Sequence, residues 1–237
     1  MSTLYLIRHG QASFGAEDYD VLSPRGIEQS RALGRHIAGR PVAVDAIYAG
    51  PRRRQLDTAR HMAEAAAELG CPAREIAVVP ELDEYPAIEL FRAWLPRLAA
   101  EGGPLARSLG NLAAGGAPPS SESVQAAFEH ITHRWARGEL DTGDLESFHA
   151  FSVRVERGVR SVMAAEGRGR RIALVTSGGP ISIAVRLGLG LSEEKTIRLS
   201  WVIANASVTE LRWRGDELSL FGFNATHHLA PDLVTFR

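Results

Sequence analysis

Three short apolar runs in this chain each end in a polar turn and then give way to a helical stretch. That order constrains the fold more than any single residue does. Leu4 to Ile7 leads into Arg8-His9-Gly10 almost at the N-terminus. Val42 to Tyr48 leads into Pro51-Arg52-Arg53-Arg54, and Ile172 to Thr176 into Ser177-Gly178-Gly179-Pro180. Short continuous apolar runs read as strands buried on both faces, which is the environment of a parallel sheet. Strands alternating with helices predict an α/β fold: three layers, a mostly parallel sheet flanked by helices.

The helical segments have their own signals. Ser23-Pro24 reads as a cap followed by proline in the first turn, and Ile27, Gly34 and Ile37 follow at helical spacing. A helix is expected from about Arg54 to Leu69, with Ala59, Met62, Ala63 and Ala66 on one stripe. Another is expected from Ile181 to about Leu189. Trp201 to Ile203 and Ser207 to Trp213 read as late strands, and Arg214-Gly215-Asp216 as a hairpin turn into Leu218 to Phe223. The interval 86–150 differs. It holds Pro86, Pro96 and Pro104, helical stretches at Ile88 to Ala100 and Glu122 to Arg137, and the loop Leu112 to Ser121, of which Gly115 to Ser121 looks flexible. It reads as a helical cap inserted into a single domain of residues 1–237, a length that suits one α/β domain with an insertion.

Composition narrows the function. Lys and Arg number 27 against 28 Asp and Glu, a net charge of -1, so no polyanion-binding surface is implied and nucleic acid is not an expected partner. An anion site would have to come from local clustering of cations. Cys71 is the only cysteine, so no internal disulfide forms. The N-terminus does not read as a signal peptide, and no apolar run reaches the length of a membrane span. The expectation is a cytoplasmic protein without a membrane partner.

In open α/β sheets ligands sit beyond the carboxyl ends of the strands, and that is where the chemistry-bearing residues cluster. Arg8-His9-Gly10 puts a cation and an imidazole there. A neutral imidazole whose other nitrogen is held by an acceptor is a competent nucleophile toward phosphorus. A neighbouring arginine can bind phosphoryl oxygens with two parallel hydrogen bonds. Arg52-Arg53-Arg54 sits at a strand-to-helix junction, where the helix N-terminus already attracts anions, though three consecutive residues cannot all point inward. In Thr176-Ser177-Gly178-Gly179, glycines expose backbone N–H groups to a bound anion. Glu81, Asp83 and Glu84 form an acidic stretch, one of which could serve as general acid if burial raises its pKa. His130, His133 and His149 lack a carboxylate at metal-ligand spacing and are expected at the surface. The tryptophans Trp94, Trp135, Trp201 and Trp213 are expected to pack.

Taken together, these segments resemble the histidine phosphatase superfamily, also called phosphoglycerate-mutase-like. The resemblance rests on Leu6-Ile7-Arg8-His9-Gly10, Leu22-Ser23-Pro24-x-Gly26-x-x-Gln29, Pro51-x-x-Arg54-x-x-x-Thr58-Ala59, Leu82-x-Glu84 and Val175-Thr176-x-Gly178-Gly179-x-Ile181. Asn205-Ala206-Ser207-Val208 and His228-Leu229 add to it. It spans nearly the whole chain and is least specific in the cap. It implies a phosphohistidine on His9, a phosphoryl group held by Arg8, Arg54, Ser177 and Gly178, and Glu84 as proton donor to the leaving oxygen. It implies a small phosphorylated substrate, no metal and no cofactor; a homodimer is compatible with it.

One position departs from the family's pattern. Ser177 stands where a second histidine is usual. Losing one preorganised donor from such a site costs about 3 kcal/mol, or about 10²–10³-fold in rate. The Ser177 hydroxyl, the backbone N–H groups of Gly178 and Gly179, or His227 or His228 from the C-terminal segment are candidates for that corner. Three readings stay open: a phosphomonoester hydrolase, a phosphate-binding protein impaired in turnover, and a mutase using cap cations such as Arg92, Arg97 and Arg107.

Overall fold

The computed structural model describes residues 1–13, 20–39, 44–103, 106–107 and 121–236. Residues 42–43 of the second expected strand, Pro104, and the expected loop up to residue 120 lie outside these. The described chain divides into two compact units, Met1–Glu84 with Ser152–Arg237, and Tyr85–Phe151.

The first unit is built on a six-stranded sheet. Its strands are β1 (Ser2–Arg8), β2 (Ala46–Ala49), β3 (Ile76–Val78), β4 (Arg171–Thr176), β5 (Val208–Arg214) and β6 (Glu217–Ala225), in the spatial order β3-β2-β4-β1-β5-β6. Strands β3, β2, β4 and β1 are parallel, whereas β5 runs antiparallel to β1, and β6 to β5. The sheet is therefore mixed, with a parallel majority. β1 and β4, both read from the sequence as continuous apolar runs, lie at its centre, where their side chains on both faces are buried.

Side-chain alternation sorts the core. Ile7, Ala173 and Val175 share a cluster with Ile47, with Leu33 of helix α1 (Pro24–Ala38) and with Ala59 and Met62 of helix α2 (Arg53–Ala67). Leu4, Leu6, Ile172 and Leu174 alternate with them and are also buried. α1 starts where Ser23 and Pro24 place it: the Ser23 hydroxyl accepts from the Gly26 N–H at 3.1 Å.

After α2 come helices α3 (Ala87–Ala100), α4 (Ser121–Ala136) and α5 (Phe148–Glu166), then α6 (Gly178–Leu189) and α7 (Glu193–Val202). α5 was not anticipated from the sequence; its Phe151, Val155, Val159 and Met163 recur every fourth residue and are buried. α7 corrects the expected strand at Trp201 to Ile203. The Ser192 hydroxyl caps it through the Lys195 N–H, Glu193 and Glu194 favour its first turn, and Ile197 and Ser200 bury one face. Trp201 and Val202 complete its last turn, and Ile203 lies beyond it. The hairpin forms as expected, with Gly215 at φ 62°.

The second unit contains α3, α4 and the first turn of α5. Tyr85 stacks on Trp135 with ring centroids 4.9 Å apart, and Phe148 meets the Trp135 edge at 5.2 Å. Trp135 is buried and its indole N–H donates to the Glu146 carbonyl at 2.9 Å, so its one polar atom is satisfied. Trp94 is buried with the Arg97 guanidinium 4.6 Å from its ring. Among the described residues no helix is long and apolar enough to cross a membrane.

Candidate active site

His9 directly follows β1. Its N–H donates to the Thr176 carbonyl at 2.8 Å, extending the parallel ladder by one step and placing it beside Ser177. By alternation His9 follows Ile7 onto the face covered by α1 and α2, and there it is 4% exposed. Two glycines make room for this turn. A Cβ on Gly10 would lie 2.4 Å from the Gly26 carbonyl oxygen, and one on Gly26 would lie 2.1 Å from that of Gln11. The Gly10 N–H donates to Thr58 Oγ1 at 3.0 Å, and that hydroxyl donates to the Arg54 carbonyl at 2.7 Å.

The imidazole has a defined tautomer. Arg54 Nε donates to His9 Nε2 at 3.1 Å, and a guanidinium has no acceptor, so Nε2 carries the lone pair. Nδ1 carries the proton and donates to the Gly10 carbonyl at 2.8 Å. Burial, the Arg54 charge and the Arg8 charge hold the His9 pKa well below its usual value, with the Gly10 bond working the other way. His9 is a neutral imidazole with its unprotonated nitrogen turned toward a cation.

Arg54 is the one of the three consecutive arginines that turns inward. It is 6% exposed, and its Nη1 pairs with Asp20 Oδ1 at 2.7 Å. The other Asp20 oxygen accepts from the Arg53 N–H at 2.9 Å, so one carboxylate caps α2 and aims its second residue. Arg53 pairs with Asp57, on the outer side of the helix. Arg52 Nε donates to Asp83. Burial lowers the Arg52 pKa, but Asp83, and then Asp20 and Glu84, more than offset this and raise it.

Glu84 is held at the far side of the same strand ends. Its Oε2 accepts from the Gly179 N–H at 3.2 Å, in the first turn of α6, and its own N–H donates to Asp83 Oδ1 at 2.7 Å. The segment carrying it is pinned from two sides. Arg154 of α5 donates to the Glu81 and Asp83 carbonyls, and Thr176 Oγ1 donates to the Leu82 carbonyl at 2.7 Å. Gly178 fits under the Ser200 carbonyl, where a Cβ would stand at 2.8 Å.

Arg8 is placed differently from His9. It follows Leu4 and Leu6 in the alternation, and its Nη1 donates to the carbonyls of Ile203 and Phe236. The carbonyl of His9 is clamped by the Ala206 N–H and by Asn205 Nδ2, each at 3.2 Å. Ser177 is fully buried as the cap residue of α6, and its hydroxyl accepts from Gln55 Nε2 at 2.8 Å. His228 is engaged elsewhere: its Nε2 lies 2.9 Å from the Ala206 carbonyl and its ring stacks on His36 at 5.3 Å. His227 meets the edge of His36 at 4.8 Å. Asp20 and Gln55 were not expected as partners of the site: neither carries a spacing signal, and each finds its partner on another element. Asp83, expected only as one of three candidate acids, pairs with Arg52 instead.

The family model described as "Histidine phosphatase superfamily (branch 1)" matches residues 4–89 and 113–226. A search of curated proteins finds no match. Among solved structures, the chain is similar to the phosphoserine phosphatase of Entamoeba histolytica, at 21% identity and TM-score 0.66, covering 97% of this chain and 100% of that one. A mycobacterial glucosyl-3-phosphoglycerate phosphatase matches at 21% identity and TM-score 0.61, with 94% and 99% covered. The phosphoglycerate mutase of Bacillus anthracis matches at 17% identity and TM-score 0.63, with 94% and 92% covered.

Proposed function

The chain belongs to the histidine phosphatase superfamily, and from that premise we propose that it hydrolyses a small phosphomonoester through a phosphohistidine on His9, without a metal ion. The observation that carries the reading is the state of His9: neutral, buried, with Nδ1–H fixed on the Gly10 carbonyl and the Nε2 lone pair facing Arg54.

The steps follow from these atoms. An incoming phosphoryl oxygen takes over the Arg54 Nε–H, which frees the Nε2 lone pair. Nε2 then attacks phosphorus in line with the leaving oxygen. The imidazole gains positive charge as the N–P bond forms, and the Gly10 carbonyl, already bonded to Nδ1–H, stabilises it. Arg54, Gly178 and Ser177 hold the phosphoryl oxygens; Arg8, expected from the sequence to hold them too, donates its Nη1 to the Ile203 and Phe236 carbonyls and contributes positive charge near His9. Such a site works by position and fixed charge, which suits phosphoryl transfer, where charge spreads over the equatorial oxygens. Glu84 protonates the leaving oxygen. It then takes a proton from the water that attacks the phosphohistidine, which returns His9 to its neutral form.

The test is release of phosphate from 4-nitrophenyl phosphate and from a panel of phosphorylated metabolites. His9→Ala abolishes it under this reading, and turnover at the wild-type rate in that variant refutes it. A second reading, phosphate binding without turnover, is favoured by one observation: the residue that follows β4 beside His9 is Ser177, which brings no charge. Phosphate release by the wild-type protein above the His9→Ala background rejects it.

A further inference from the structure

The corner beside the nucleophile is filled by two residues. Gln55 and Ser177 both have no solvent exposure, and Gln55 Nε2 donates to Ser177 Oγ at 2.8 Å. The amide has a single consistent orientation. Its Oε1 accepts from the Arg52 backbone N–H at 3.0 Å, and an N–H can only donate, so the face turned to Ser177 is the NH2 group. The side chain has little room to turn: a Cβ on Gly50 would fall 2.3 Å from Gln55 Oε1.

This fixes what Ser177 can do. A hydroxyl has one proton to give and two lone pairs. Gln55 occupies a lone pair and offers no acceptor in return. Ser177 makes no side-chain capping bond to α6, so the helix does not compete for its oxygen. Because Arg8 pairs with Thr176 in the parallel ladder, Ser177 stands at the strand end next to His9. Resting on the reading of His9 as phosphoryl acceptor, we infer that Gln55 is a positioning residue that turns the Ser177 hydroxyl into a fixed neutral donor to the phosphoryl oxygens. The Gln55–Ser177 pair stands in the corner where the superfamily pattern has a second histidine. Gln55 acts through Ser177; it does not touch the substrate.

A double-mutant cycle tests this with inorganic phosphate as probe, its affinity measured by calorimetry in the wild type, Gln55→Met, Ser177→Ala and the double variant, with the melting temperature of each. Loss of one neutral donor to a charged oxygen weakens binding about tenfold. Each single variant is expected to lose that much, and the double variant no more than Ser177→Ala alone. A general loosening of the fold by Gln55→Met would instead weaken binding equally in both backgrounds. Additive losses, unchanged affinity in either single variant, or no phosphate binding by the wild type overturn the inference. If Gln55→Met does not fold, Gln55→Glu replaces it. That variant keeps the shape and the Arg52 bond but can only accept from Ser177, so phosphate affinity at the wild-type level would also overturn the inference. Hydrolysis of 4-nitrophenyl phosphate by the wild type reports separately on the proposed function. Coupled phosphate binding without hydrolysis rejects the hydrolase and keeps the pair, while hydrolysis with additive losses rejects only the pair.

Discussion

Gly26→Ala sets two effects against each other, and the structure decides which wins. Gly26 is the third residue of α1, and replacing a helical glycine by alanine ordinarily stabilises by about 1 kcal/mol. Here the added Cβ would stand 2.1 Å from the Gln11 carbonyl oxygen, 2.9 Å from its nitrogen and 3.0 Å from its carbonyl carbon. A relaxed C···O contact needs about 3.3 Å, so one backbone must retreat by about 1 Å. Neither yields freely. The Gly26 N–H and carbonyl are bonded to the Ser23 and Ser30 hydroxyls, and the Gln11 N–H is bonded to Gln29 Oε1 at 2.8 Å. Overpacking of this kind costs about 1–3 kcal/mol, with the rigid backbone putting it toward the upper end, so the net effect is a loss of about 1–2 kcal/mol. That corresponds to a melting temperature lower by about 2–8 °C. Gln11 is two residues from His9, and a displacement of about 1 Å in a reacting group costs about 100-fold in rate. Urea unfolding and 4-nitrophenyl phosphate turnover measure the two consequences. A variant stabilised by about 1 kcal/mol with unchanged turnover would refute the reasoning, since it would show helix propensity acting at an open site.

Asp20→Ala removes both the α2 cap and the partner of a buried arginine, and is expected to cost about 1–3 kcal/mol in thermal unfolding. Asp20→Asn, which keeps an oxygen for the Arg53 N–H, costs less, and equal losses in the two would show that the cap contributes nothing. The low pKa of His9 makes the unfolded chain bind the extra proton, so stability falls as pH drops below about 6.5, by at most about 1.36 kcal/mol per pH unit. His9→Gln removes that part of the slope; identical pH dependence of denaturation in the two proteins would contradict the neutral, buried state. Ser177→His does not by itself raise turnover, because the imidazole needs the volume that Gln55 fills at 2.8 Å. A rate gain in the single variant, measured by phosphate release, would show that Gln55 moves aside. Truncation after Ala230 removes buried Leu233 and the two acceptors of Gln29 Nε2, the Leu233 carbonyl and Thr235 Oγ1, and is expected to destabilise by about 2–4 kcal/mol in urea. An unchanged unfolding midpoint would show that the C-terminal segment does not hold α1.

The sequence by itself determined the strand-helix alternation around the site, the capped start of α1, and the segments that carry His9, Glu84 and Ser177, while β3 and α5 were not anticipated and the end of α7 read as a strand. The features it determined are local: apolar runs, a Ser-Pro pair and glycines at turns have their effect within a few residues. Spacing alone could not choose among Arg52, Arg53 and Arg54, and only the resemblance singled out Arg54, because adjacent residues on a helix point about 100° apart and the packed sheet says which direction is inward. Trp201 to Ile203 read as a strand because three apolar residues carry no period, while the cap of the helix that takes in Trp201 and Val202 lies nine residues before Trp201, at Ser192. Only the tertiary structure decided that Asp20 aims Arg54 and that Gln55 meets Ser177 across 122 positions of sequence. Such pairs leave no trace in spacing, because they form between elements that the sheet brings together. The proposed chemistry depends on them, since the His9 tautomer is set by Arg54 and a lone pair of the Ser177 hydroxyl is occupied by Gln55, each on another element.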